Sequence, residues 1–195
     1  MTSLVRRMAL IVSAALAVAA MVAAPATAGS LAHERYEGSD AGTWSGCGPT
    51  YEFEGRWSGL FTLKAGHAGD PTPYLTDNYE WHWINRNPAN GKWFTEAGQA
   101  QYKDVMITNL HDTVYRFIAQ NSGSPYTITT SDGRKFVMDR GLLRYQFDVD
   151  TQGDDNLDND VFLEGSDSLI ADHGSHPVWH MTGDDYCDVV NELLQ

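Results

Sequence analysis

From Tyr145 to Gln195 the sequence contains no Lys and no Arg, although 13 Asp and Glu residues fall in the same 51 positions. A tail of one charge sign argues against nucleic acid, and against anionic lipid or polymer held by bulk charge, because like charges repel. Cysteine is almost missing too. Cys47 and Cys187 are the only two, and no C-x-x-C is present, which weakens a redox or catalytic thiol. Neither G-x-S-x-G nor H-E-x-x-H occurs, so the serine-hydrolase elbow and the zinc-protease helix are both excluded. No segment before the C-terminal dozen residues has a helical apolar stripe, no later run is long enough to span a bilayer, and no internal repeat is evident.

What is present begins with MTSLVRR, the apolar run MALIVSAALAVAAMVAA and then PATAGS. A basic flank, a short Ala-rich core and the small residues Ala26-Thr27-Ala28 predict a cleaved secretory signal over 1–28 and an extracellular product. The mature chain would be Gly29–Gln195, 167 residues, with 11 basic against 26 acidic side chains and a net charge of −15. In an oxidising compartment Cys47 and Cys187 are natural partners, tying the start of the domain to its end.

Residues 29–46 are polar and rich in Gly and Ser, and read as a flexible lead-in. One domain, 47–195, follows. In YEFEGRWSGLFTLK, Tyr51, Phe53, Trp57, Phe61 and Leu63 share one face of a period-two pattern, with Gly55 and Gly59 in phase with them, as in a half-buried strand. NYEWHWINR alternates likewise, and N-P-A-N-G then marks a hairpin at Asn90-Gly91. KWFTEAGQAQYKDVMIT is one strand or two broken near Gly98, and TVYRFIAQ, PYTITT, RKFVMD, GLLRYQFDVD, VFLE and SLIA continue the series between turn signals. The prediction is all-β: a single antiparallel barrel of lipocalin-like meander order, or a sandwich, of about eight to ten strands. DDYCDVVNELLQ, with Val189, Val190, Leu193 and Leu194 at helical spacing, predicts a short terminal helix. A signal peptide, an early Cys, a glycine-broken first strand, the N-P-A-N-G hairpin and a late Cys together resemble a class of small secreted bacterial β-rich proteins. That resemblance implies fold and location, and no activity.

The acidic tail is densest in FDVDTQGDDNLDNDVFLEG, Phe147–Gly165. Asp148-x-Asp150-x-Gln152-Gly153 opens like an EF-hand loop, but Asn159 stands where a bidentate Glu is required and strands flank it, so an EF-hand is rejected. A different calcium site is open to the same oxygens, with Asp148, Asp150, Asp154 and Asp158 the first ligands and Asp160 next. The competing reading is a solvated acidic loop that keeps the hairpins apart. Apart from this calcium, no cofactor is expected.

His173, His176 and His180 with Asp172 offer zinc donors, but their spacing is no known ligand motif and Pro177 interrupts it. His82, between Trp81 and Trp83 and set opposite Glu80 or Glu96, is the most catalytic-looking position. The function predicted is a non-enzymatic secreted binding domain, for a small apolar or aromatic ligand in the barrel or for an extracellular protein at the acidic end. A small barrel-type enzyme using His and carboxylate chemistry, and a structural envelope-associated protein, are the alternatives. Oligomeric state is open.

Overall fold

The computed structural model describes residues 30–66, 72–153 and 159–195. The predicted signal peptide lies outside them. Nine strands form one antiparallel sheet: β1 (Ser30–Trp44), β2 (Tyr51–Lys64), β3 (Tyr74–Arg86), β4 (Trp93–His111), β5 (Val114–Thr130), β6 (Lys135–Met138), β7 (Arg140–Asp150), β8 (Val161–Phe162) and β9 (Ser168–Ser175). Their order is β1-β2-β3-β4-β5-β7-β8, with β6 also on β5 and β9 also on β7. This is a meander, and the all-β prediction holds. The sheet does not close: among the described residues no ladder joins β1 to β8 or β9.

The predicted flexible lead-in is corrected. Ser30–Trp44 is a 15-residue strand paired with β2 along nearly its whole length. Its apolar phase is broken by Glu34 and Asp40 and hidden further by Gly38 and Gly42, which face Trp57 and Phe53 of β2 directly across the ladder. The same device recurs deeper in the sheet, where Gly55 faces Trp83 and Gly98 faces Trp81. A Cβ at Gly55 would overlap the Trp83 ring, and one at Gly98 would overlap Trp81 and the Pro125 carbonyl. Glycine here is the seat of a cross-strand aromatic ring, which gains contact on the bare backbone.

Gly98 therefore does not divide β4, which runs unbroken through a register shift between Ala97 and Gln99. TVYRFIAQ and PYTITT likewise join in the single β5. The N-P-A-N-G turn is a five-residue turn, with Gly91 N–H donating to the Asn87 carbonyl at 2.8 Å and only Gly91 at positive φ (+74°).

The predicted helix is α1 (Gly183–Leu194), opened by a capping box between Thr182 and Asp185. Tyr186, Val190 and Leu194 recur every four residues and are buried against Tyr51, Phe94 and Ile128 of the sheet. The helix end is held by the turn: Asn87 and Asn90 side chains both donate to the Leu194 carbonyl, at 2.9 and 2.8 Å. Cys47 and Cys187 form the expected disulfide, fixing α1 to the β1–β2 connection. No helix among the described residues is long and apolar enough to cross a membrane.

Candidate functional site

Period-two alternation sorts the candidate residues onto the two faces of the sheet. Glu96 pairs with Trp83 and His82 with Ala97, so Glu96 shares the aromatic face while His82 and Glu80 share the other. The expected approach of His82 to Glu96 is thereby corrected: a one-residue offset in a strand puts them on opposite sides. Glu80 instead accepts a hydrogen bond from the Ser58 hydroxyl at 3.1 Å.

Glu96 is buried beneath α1. Its Oε1 accepts from the hydroxyls of Tyr126 and, at 2.7 Å, Tyr186, and its Oε2 accepts from Asn85 Nδ2 at 2.9 Å. Asn85 Oδ1 in turn accepts from Trp44 Nε1 at 3.1 Å. Burial first, and then the neighbouring Glu96 carboxyl, pushes the Tyr126 hydroxyl well above its ordinary range. Three strands and the helix thus meet at one carboxyl group, with β1 joined to it through Asn85, and the carboxyl acts as a clasp.

Further along the same face, Tyr36 donates to Asp77 (2.7 Å), Asn121 and Tyr79 bond each other (2.8 Å), and Tyr102 donates to Asp104 (2.8 Å). Burial pushes the Tyr79 hydroxyl up to about 12. Asp104 is pushed up to about 6, again by burial, against the lowering effect of the Leu75 N–H and Tyr102 hydroxyl bonds. Because the folded chain favours the protonated form, the stability this group contributes is complete below about pH 4 and is lost as pH rises through about 6. The loss amounts to about 3 kcal/mol. Asp104→Asn keeps the shape and removes the charge, so it is expected to equal the parent in urea unfolding at pH 4 and to exceed it at pH 8. A variant weaker than the parent at pH 8 would show that the ionised carboxylate is favoured there.

The acidic segment is less unbalanced than its composition suggests. Arg116 of β5 reaches across the ladder and gives Nε to Asp148 Oδ1 (2.8 Å) and an Nη to Oδ2 (2.9 Å), holding Asp148 below the usual carboxylate range. Asp150 Oδ1 accepts from the Thr113 hydroxyl (2.6 Å) and Gln152 N–H (3.0 Å), and its pKa is lowered by them. Asp160 lies just before β8. Asp154 and Asp158, the other expected calcium ligands, fall outside the described residues.

His176 is buried with neither ring nitrogen hydrogen-bonded, 3.6 Å from the Asp172 carboxylate, which meets exposed His180 at 2.8 Å. His173 is exposed on β9. Among the described residues no group of three or more His, Cys, Asp or Glu side chains is placed to hold a metal ion.

No family model, curated protein or solved structure matches this chain. The site must be read from its own chemistry.

Two surface features were not singled out by sequence. On the polar face, troughs of about 960 and 790 Å³ adjoin over β1–β5. On the β7 margin, Val161, Phe162 and Leu163 with Leu169 and Ile170 are all exposed, Phe162 at 56%. Phe162 continues an aromatic ladder, 5.3 Å from Phe147, which stacks at 5.4 Å on Phe117. VFLE and SLIA are read from sequence only as two further strands. Their position on an outer margin follows from topology, which periodicity does not report.

Proposed function

We propose that the chain is a secreted, non-catalytic binding domain that docks an extracellular partner across the β7–β8–β9 margin. The observation carrying this reading is the five exposed apolar side chains along this edge, Val161 to Leu163 and Leu169 to Ile170, with Phe162 and Leu169 on the Phe147 face and Val161 on the opposite one, set within the interval that has 13 acidic residues and no Lys or Arg. Isolated exposed apolar residues need no explanation, but a group on one sheet margin rimmed by charge is the usual form of an interaction surface. Charge complementarity assigns the partner a basic rim around an apolar centre. The disulfide suits an extracellular location. The margin is favoured over an apolar ligand inside the sheet because the aromatic rings of the inner face lie against glycines and against one another.

The test uses the mature, disulfide-intact protein and a fluorescent peptide of alternating Lys and Leu. Saturable binding is expected that weakens with salt and falls by about a hundredfold or more in Phe162→Ser/Ile170→Ser, as loss of two buried anchors requires. Equal binding by the variant, or by a Lys-only peptide, would reduce the margin to a nonspecific acidic surface and sink the proposal.

A further inference from the structure

The polar trough makes a second, separate site. We propose that it binds an uncharged, hydroxyl-rich chain, an oligosaccharide lying across the strands of β1–β4. The register lays its side chains out in rows: Ser39, Arg56 and His82 side by side in one, Glu37, Ser58, Glu80 and Gln99 in the next. All of them line the 960 Å³ trough. Successive positions in a row are separated by the interstrand spacing, roughly 4.8 Å.

Ser58 and Glu80 are bonded to each other. Arg56, His82, Gln99 and Glu37 make no side-chain hydrogen bond or ion pair among the described residues, although donors and acceptors stand in adjacent rows. A concavity lined by polar groups that are not committed to one another suits a ligand that can donate and accept at closely spaced points. Sugar hydroxyls do both.

The charges select among polar ligands. Arg56 and His82 would attract an anion, but Glu37 and Glu80 line the same trough and the chain carries a net charge of −13. An anionic polymer would gain little and be repelled at long range. An apolar ligand would strip water from four polar side chains without replacing their hydrogen bonds. An extended peptide would pair with the backbone of the β1 edge, which among the described residues carries no ladder beyond that to β2; the face presents side chains only. A neutral glycan avoids each of these costs.

The experiment is an amide-shift titration of the mature, disulfide-intact protein with hexasaccharides of glucose, xylose, mannose and N-acetylglucosamine, alongside a hexagalacturonate as the anionic comparison. At least one neutral series is expected to shift amides around Arg56, Glu80, His82 and Gln99. Arg56→Ala and Gln99→Ala should each weaken it by about tenfold, the effect of one hydrogen bond involving a polar or charged group. Phe162→Ser should leave it unchanged, so failure here is distinguishable from failure of the docking margin. The proposal is overturned if no neutral hexasaccharide shifts these amides, if the galacturonate binds more tightly, or if the two trough variants bind as the parent does.

Discussion

Glu96→Ala is expected to lower unfolding free energy by about 4 kcal/mol, among the larger effects a single substitution produces. The shape of the site sets this size. Removing the carboxyl takes away the acceptor on which three donors converge, the hydroxyls of Tyr126 and Tyr186 and the amide of Asn85. Each buried donor left without a partner costs about 1–3 kcal/mol, and the space vacated under α1 adds a cavity term. Glu96→Gln retains volume and one acceptor, so it should cost about 1–2 kcal/mol. Chemical unfolding of the two variants gives the comparison, and hydrogen exchange locates the damage. Protection should fall first in α1, whose Tyr186 is buried and bonded to the lost group. A cost for the Ala variant below about 1 kcal/mol would mean that water replaces the carboxyl and that the clasp is dispensable.

The same cluster shows what sequence patterning reveals and what it conceals. Glu96 lies in phase with Phe94 and Ala100, both buried, so a carboxyl aimed into the core was visible in KWFTEAGQA as a break in the apolar face. Its partners were not visible. Asn85, Tyr126 and Tyr186 come from β3, β5 and α1, and only the ladder and helix docking bring them together.

Strand β2 was legible to its ends because Tyr51, Phe53, Trp57, Phe61 and Leu63 hold one phase, with only Gly55 and Gly59 between them and no polar residue breaking it. Strand β1 was not, because Glu34, Gly38, Asp40 and Gly42 occupy positions where an apolar side chain would have shown the period. A glycine opposite an aromatic residue carries its information in the neighbouring strand. Likewise the acidic tail was plain from composition, whereas Arg116, 32 positions before Asp148, was not associated with it until pairing of β5 with β7 set them opposite each other. Local alternation identifies elements; charges and polar clusters are balanced across elements, and that balance depends on register.

The second large effect belongs to the disulfide. Cys47→Ser/Cys187→Ser is expected to destabilise the domain by roughly 5 kcal/mol, the chain-entropy value for the closed loop. The linked residues are 140 positions apart. For a domain with a total stability of about 5–15 kcal/mol, that is a third or more of the whole. Two mechanisms make different predictions. If the bridge were only a local tether for α1, its loss would free a 12-residue helix, too short to persist alone, while the sheet kept its protection. The loop, however, encloses β2 through β9 together with the start of α1, so opening it chiefly enlarges the unfolded ensemble. Other contacts remain to hold the helix: Tyr186 on Glu96, Val190 and Leu194 in the core, and the Leu194 carbonyl on Asn87 and Asn90. Protection of the slowest amides in β4, around Phe94 and Glu96, should therefore fall together with that of α1 and by the same free energy. Loss confined to α1, with β4 unchanged, would make the bridge a local tether and the remaining helix contacts too weak to dock it.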